Sequence, residues 1–273
     1  MYSGTTIRTK SGRLMGVHQK IDRVARRHLQ AYIPHSSTFP GIQEILHFEG
    51  LNGPDGIKRK SPARDEPWHY IDPNDPTDRG LITIILDHIT NLSTALKTKN
   101  HKRAAFEASW VAHAITDGLT PAHHYPLEEK LVQLRGGEGL ETRTSTKAKI
   151  IIPGSNLRTQ LRNNWEFWGA KGVMTTHLAF EIGVATTIVS SRFDDAKPSE
   201  NDFKLLEEKG IEFIFYDTLN RVVQLGMYEE FIRLGWTRQL ALETKQTLMP
   251  EIIRVVILAW YQAVILAESS NEH

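Results

Sequence analysis

The residues best suited to chemistry lie in one short stretch of the chain. His113 and Asp117 are four residues apart, so on a helix they share a face, roughly 5–6 Å apart at Cβ. Gly118 and Pro121 end such a helix and force a turn that can bring His123 back beside it. Imidazole nitrogens and carboxylate oxygens are typical zinc ligands. The alternative is a helix C-terminus decorated with histidines, whose positive charge the helix dipole favours.

A second pair repeats this arrangement. His177 and Glu181 are also four residues apart, on a helix predicted over residues 171–190. Two such pairs, both flanked by small or apolar residues, are less expected by chance than one. His18 lies on or beside the apolar side of a helix predicted over 14–32. A lone histidine there is usually a hydrogen-bonded core residue.

Two further candidates lie on a long segment that we predict to be a turn-rich loop. Asp55 and His69 fall between Gly50 and Pro73, and long irregular loops in compact domains are commonly functional. Asp before Gly is also a common turn former, which is the alternative for Asp55. The complete candidate metal set is His18, Asp55, His69, His113, Asp117, His123, His177 and Glu181. These side chains suffice for two tetrahedral zinc ions, and for a third if Asp117 is shared.

Composition limits the other possibilities. The chain has 273 residues, a formal net charge of +1 and no cysteine. The charge excludes a strongly basic nucleic-acid coat and an acidic tail. Disulfides and thiolate sites are impossible, so any metal must be held by His, Asp or Glu.

The termini carry no targeting signal that we recognise. Residues 1–10 lack the apolar core of a signal peptide. The most apolar run, 255–267, is too short to span a bilayer and is interpreted as a buried central helix. We therefore predict no transmembrane segment and a cytoplasmic protein, or a secreted one if a leader has been removed.

The remaining pattern is helical. Apolar residues at helical intervals predict helices over 14–32, 77–98, from Asn100 through His113, and over 171–190, 201–223, 226–246 and 250–268, with a short one within 41–48. Residues 1–12 are predicted to be loose, and 125–170 to form an inserted loop region. Nothing has the alternating βα spacing of a parallel sheet. We expect an all-α fold, residues 1–273 forming a single-domain bundle around a multinuclear metal site, with long irregular loops.

The inserted region is basic and ends in aromatic residues. Residues 130–171 hold eight Lys and Arg against three Glu, and Trp165 and Trp168 lie near the end of this range. This combination could bind phosphate together with a base or a lipid headgroup. The alternative is an ordinary exposed loop ending in a core aromatic cluster.

The order and spacing of the candidate ligands resemble the zinc-dependent phospholipase C and single-strand-specific nuclease superfamily. The matching features are His18-x2-Ile-Asp, Asp55-x13-His69 within Trp-His-Tyr-Ile-Asp, His113-x3-Asp117-x5-His123 with Pro121, and His177-x3-Glu181. The resemblance covers about residues 14–185, and its central block is the most specific part.

The resemblance implies an all-α fold with a trinuclear zinc cluster. One metal would be held by Asp55, His69, His113 and Asp117, a second by His123, His177 and Glu181, and a third by His18 with Asp117 as a bridge. In the family, the amine and carbonyl of an N-terminal Trp complete the third site, whereas this chain has no Trp before Trp68. Two or three zinc ions are therefore expected. The segment between His123 and His177 is also longer than the family pattern, and we expect it to shape the substrate entrance.

The expected activity is hydrolysis of phosphodiesters by a metal-activated hydroxide, since zinc polarises phosphoryl oxygens and lowers the pKa of bound water towards about 7. Asp55 would double as the catalytic proton acceptor, and Asp72 and Asp87 would orient ligand imidazoles. Phospholipase C activity on phospholipid headgroup esters, with peripheral membrane contact, is the leading hypothesis. The alternatives are a single-strand nuclease, with Trp165, Trp168 or Tyr125 as base platform, and a non-catalytic binding protein stabilised by metal.

Overall fold

A buried helix near the C-terminus organises the molecule. The structure, a computed structural model, describes residues 1–3, 16–35, 37–60, 70–124, 127–139 and 142–269. These residues form helices and no strand, which confirms the predicted all-α fold. The helices are α1 (Val17–Leu29), α2 (Ile42–His47), α3 (Pro54–Lys60), α4 (Gly80–Lys97), α5 (His101–Gly118), α6 (Leu127–Leu134), α7 (Thr146–Ile150), α8 (Leu157–Trp168), α9 (Val173–Ile188), α10 (Glu200–Gln224), α11 (Met227–Leu234), α12 (Arg238–Glu243) and α13 (Met249–Ser269).

Helix α13 is the predicted central helix. Its residues Val255 to Trp260 are completely buried, and α1, α4, α5 and α10 pack around it. The Trp260 indole donates a hydrogen bond to the carbonyl oxygen of Ala108 on α5, at 2.9 Å. With α12 and a π-helical turn, α13 forms one continuous helix, Arg238–Ser269. That helix is long and apolar enough to cross a membrane by length and composition, but 61% of its most apolar window is buried in the molecule, as in a core helix.

Helices α4 and α5 form an antiparallel pair that fixes the position of the predicted metal ligands. The Asn100 side chain accepts a hydrogen bond from the Arg103 amide, so it caps α5 as predicted. At the other end, a Cβ on Gly118 would lie 2.5 Å from Leu81 and 2.8 Å from Phe215. A side chain at position 118 would therefore force Leu81 and Phe215 to shift, and glycine lets the end of α5 pass close to α4 and α10 without this.

The predicted loops are more regular than the sequence indicated. The segment that begins at Gly50 was expected to be all turns, but it contains a short 3-10 helix, Gly50–Asn52, followed by α3. Pro54 begins α3, where its missing N–H is not needed by the helix. Residues 4–15 and 61–69, with most of the predicted N-terminal loop and His69, lie outside the described residues.

The described part of the inserted region, 127–139 and 142–170, contains more helix than the loop region predicted over 125–170. Helices α6, α7 and α8 lie within it. The side chains of Ser145 and Asn156 accept hydrogen bonds from backbone amides three residues on, which starts α7 and α8.

Two other segments differ from the predictions, and one predicted helix is kinked. Met1 and Tyr2 are buried, although residues 1–12 were expected to be loose; the Val17 amide donates to the Tyr2 carbonyl oxygen at 2.7 Å. The helix predicted over 226–246 is interrupted at Gly235, whose φ of 73° is left-handed. Gly210, with φ 77°, kinks α10 for the same reason.

Candidate metal centre

Four elements bring six of the eight predicted ligands together inside the molecule. The imidazole of His18 comes from α1, His113 and Asp117 from α5, His123 from a 3-10 helix (Pro121–His123), and His177 and Glu181 from α9. Each of these residues is at most 6% exposed. Buried titratable groups cost free energy unless they are paired or coordinate metals. Six such side chains in one buried cluster therefore need ion pairs with one another or a bound metal ion.

The first triad is His18, His113 and Asp117. The imidazole rings of His18 and His113 stack with centroids 3.9 Å apart. Nε2 of His18 lies 3.3 Å from Asp117 Oδ1, and Nε2 of His113 lies 3.1 Å from Oδ2. One ligand atom from each residue lies within 4.8 Å of the other two, close enough for one metal ion.

The second triad is His123, His177 and Glu181. Glu181 Oε1 lies 3.1 Å from Nε2 of His123 and 3.0 Å from Nε2 of His177. This triad meets the same distance criterion and could hold a metal ion. Asp117 Oδ1 is also 3.7 Å from His123 Nε2, so this carboxylate lies between the two triads. The predicted bridge was a different one, between a His18 metal and the metal at His113, whereas His18 and His113 here belong to the same triad.

The α-amino group of Met1 lies at the junction of the triads. It contacts Asp117 directly, and lies 3.5 Å from Glu181 Oε1 and 3.4 Å from His123 Nε2. The Met1 carbonyl oxygen is 2.8 Å from Nε2 of His18. An amine and a carbonyl therefore reach the His18 site, where the sequence offered no tryptophan.

Asp55 lies at the edge of the same cluster. Its Oδ1 is 3.9 Å from Nε2 of His113, and its side chain is 24% exposed, which makes it the most accessible carboxylate of the group. Seven of the eight predicted ligands therefore lie in or beside this cluster. The eighth, His69, which is the predicted companion of Asp55 on the first metal, lies outside the described residues.

The carboxylates of the cluster are held ionised. Burial by itself would raise the pKa of Asp117, but the Met1 ammonium and, after it, the His113 imidazole hold this pKa well below its usual range. Glu181 behaves alike: burial opposes ionisation, and the Met1 ammonium and His177 lower the pKa well below normal.

The imidazoles divide into two kinds. Burial lowers the pKa of His123 to about 3, so its ring is neutral and has a lone pair available. Burial also acts against protonation of His113, but Glu49 and Asp117 outweigh it and raise the His113 pKa well above its usual value. Metal binding at His113 would have to displace the proton from its Nε2. Imidazole nitrogen, free of its proton, together with ionised carboxylate oxygen is a donor set that suits zinc and related divalent ions. The residues present therefore fit a metal.

Glu49 is the residue that orients His113, and the sequence did not indicate it. Its side chain is buried, and Oε1 accepts a hydrogen bond from His113 Nδ1 at 3.0 Å. This fixes the ring so that Nε2 faces Asp117. The predicted orienting residues Asp72 and Asp87 are both exposed, and Asp72 instead accepts from the Asn74 amide in a turn. That prediction was wrong.

Tyr70 forms one wall of the cluster. Its ring stacks on His123 with centroids 5.2 Å apart and lies 6.4 Å from His177. The aromatic residues predicted to stack on a nucleic-acid base do not form this wall in the described structure. Trp165 is 71% exposed, and Tyr125 lies outside the described residues.

No known family model, characterised protein or solved structure matches this chain. The site must therefore be interpreted from its own geometry. That geometry shows two buried triads able to hold metal ions, joined by Asp117.

Proposed function

We propose that the protein is a zinc-dependent phosphodiester hydrolase of the phospholipase C type, related to the superfamily that its ligand pattern resembles. The observation that carries the proposal is the convergence of two buried His–carboxylate triads around Asp117. Apolar cores accept such a group of ionised carboxylates only with cationic compensation. Within the described residues, the Met1 ammonium contacts Asp117 and lies close to Glu181, so it offsets part of their charge.

The residues that would hold the metals follow from the contacts. His18, His113 and Asp117 would hold one ion, and His123, His177 and Glu181 another. The amine and carbonyl of Met1 lie where they could supply the donors that the related family takes from an N-terminal tryptophan. Zinc bound there would polarise phosphoryl oxygens and lower the pKa of bound water.

The chain itself would supply orientation, exclusion of solvent and a proton acceptor. Glu49 holds the His113 ring in place. Asp55, more accessible than the buried ligands and adjacent to His113, is suited to accept a proton from water at the edge of the cluster. Tyr70 covers His123 and keeps bulk water away from that side.

Single-strand nuclease activity is the second candidate, and Tyr70 is the observation that favours it. An aromatic ring beside the metal ligands is the platform on which a nucleic-acid base can stack. Here the platform would be Tyr70 in place of the tryptophans predicted from the sequence. The metal ligands and the chemistry would be unchanged.

Metal analysis combined with paired activity assays tests the proposal. Protein purified without chelator should contain at least two zinc ions per chain, and it should hydrolyse a phosphatidylcholine analogue faster than single-stranded DNA. Fewer than about two metal ions per chain would remove the basis for the proposal. Bound metal with no turnover of either substrate would leave a non-catalytic, metal-stabilised protein. Faster cleavage of DNA would select the nuclease.

A further inference from the structure

Helix α8 has an exposed apolar face. Four large apolar side chains point away from the molecule: Leu157 is 76% exposed, Leu161 67%, Trp165 71% and Trp168 40%. We call these four residues the α8 outer face. Single exposed apolar residues are ordinary, but contiguous ones mark interaction sites.

The spacing of these residues shows that the face is continuous. At about 100° per residue, positions 157, 161, 165 and 168 fall within an arc of about 80° on a helix. The buried residues of α8, Asn163 and Phe167, lie on the opposite side. The inward side of α8 therefore packs against the rest of the molecule, and its outward side is apolar and exposed.

The apolar surface continues beyond the helix. The Trp168 indole donates a hydrogen bond to the carbonyl oxygen of Ile150 at 2.7 Å. This bond places the end of α7 against the end of α8. Ile150 is 52% exposed and Ile151 is 37% exposed, so two further aliphatic side chains extend the α8 outer face at its C-terminal end.

Basic residues border the face. Arg158 and Arg162 are exposed and lie on the helix directly beside Trp165, and neither makes an ion pair within the described parts of the chain. Lys147 on α7 is also exposed. The single acid of α8, Glu166, lies farther round the helix, 4.0 Å from Lys130.

We propose that the α8 outer face is a docking surface for anionic lipid bilayers. Interfacial helices combine Trp and Leu on one face with Arg and Lys beside it, so that the apolar side chains enter the headgroup boundary and the cations meet lipid phosphate. Single-stranded nucleic acid would require aromatic stacking in a basic groove. Half of the α8 outer face is aliphatic and it lies on a convex helix, which favours lipid. The flanking charges have one sign, which disfavours the same face of a second copy.

The face is coupled to the candidate metal centre. Phe167, on the inner side of α8, packs in a small apolar cluster with Leu131, Leu134 and Ile152. Tyr70 packs against this cluster and stacks on His123. Docking through α8 would therefore bring lipid headgroups to the side of the molecule where the metal ligands lie. The docking itself does not rest on the proposed hydrolase activity.

Vesicle co-sedimentation in EDTA tests docking separately from catalysis. The probes are vesicles of phosphatidylcholine alone and of phosphatidylcholine with phosphatidylglycerol. The native chain should bind the anionic vesicles more tightly, and binding should weaken with salt. The double variant Leu161→Ala/Trp165→Ala should bind them about 10-fold less or weaker still, and Arg158→Glu/Arg162→Glu should lose the preference for anionic lipid. A matched control, Ile232→Ala/Leu234→Ala, removes two side chains that are each 58% exposed on α11 and should bind like the native chain.

Circular dichroism should show that all variants fold, since every replaced residue is exposed. Three results would overturn the proposal. The first is an absence of vesicle binding by the folded native chain. The second is equal binding by the α8 variant and the α11 control. The third is a dimer, or a complex with a single-stranded oligonucleotide, that Leu161→Ala/Trp165→Ala abolishes while vesicle binding is unchanged. Failure of docking would leave the metal content and phosphodiester assays unaffected, so the two proposals fail independently.

Discussion

Helix α5 buries two carboxylates, one near each end, in different electrostatic surroundings. Glu107, near the start, has a fully buried side chain. Its oxygens lie 2.5 Å from the Arg103 guanidinium and 2.5 Å from Nδ1 of His88. The aromatic rings of Phe106 and Trp110 enclose His88. This carboxylate is neutralised by the Arg103 guanidinium, which the chain itself supplies.

Asp117, at the end of α5, has different neighbours. His18, His113 and His123 surround it, and the Met1 ammonium contacts it. A guanidinium is permanently charged and has no lone pair to offer, whereas an imidazole can be a neutral ligand. The Glu107 cluster is therefore complete as an ion-pair network. The described part of the Asp117 cluster consists of imidazoles and carboxylates, a donor set that can bind a divalent metal.

The largest expected effect is at Asp117. Asp117→Asn removes the carboxylate that lies between the triads, so we expect metal content to fall to one ion per chain or fewer. Phosphodiester hydrolysis should fall roughly 1000-fold. This factor corresponds to a loss of about 4 kcal/mol of transition-state stabilisation. Metal analysis and steady-state kinetics measure both quantities. Retention of two ions by the variant would contradict the bridging position.

An N-terminal extension tests the role of the Met1 amine. Placing Gly-Ser before Met1 converts the buried amine into an amide and displaces the cation from Asp117 and Glu181. We expect the metal at His18 to be lost and the ion at His123, His177 and Glu181 to be retained, so that stoichiometry falls by one. The same two residues added after His273 are the control. Equal metal content in both extended proteins would exclude Met1 as a ligand.

Glu49 should contribute an intermediate effect through His113. Removing an acceptor that orients a metal-bound imidazole typically costs 10- to 100-fold in metal affinity. We therefore expect Glu49→Ala to weaken metal binding by about that factor, measured by competition with a chromogenic chelator. Glu49→Gln keeps an acceptor oxygen and should restore most of the affinity. A purely structural role would instead lower the melting temperature of both variants without changing affinity.

The two clusters differ in how far the sequence predicted them. The pairs His113–Asp117 and His177–Glu181 were found because helical spacing places residues four apart on one face, independently of the tertiary fold. Glu49 was missed because it reaches His113 across 64 positions, and no spacing rule connects them. The amine of Met1 was missed because spacing rules treat side chains only.

The same limit applies to the fold. Long helices with an apolar stripe, such as α4, α5 and α13, were predicted within a few residues. Helix α8 was missed because its apolar side faces outward, and the basic, aromatic composition of the segment resembled a loop. The sequence indicated the composition of the α8 outer face, but only the packing of Phe167 shows which way the helix is turned.

The smallest effect on the metal, and the control for the comparison, is expected at Glu107. Glu107→Gln keeps an acceptor oxygen but removes the negative charge that pairs with Arg103, so the free energy of unfolding should fall by about 2 kcal/mol, since the half-exposed guanidinium can regain some hydration. Metal content and activity should be unchanged, because neither Arg103 nor His88 touches the triads. Urea denaturation with and without EDTA separates the stability contributed by the metal from that contributed by the ion pair. The chelator should lower the free energy of unfolding of the native chain and of Glu107→Gln by the same amount. It should have little effect on Asp117→Asn. If Glu107→Gln also loses metal, the two ends of α5 are not independent, and the distinction between a closed ion-pair network and an open ligand set is wrong.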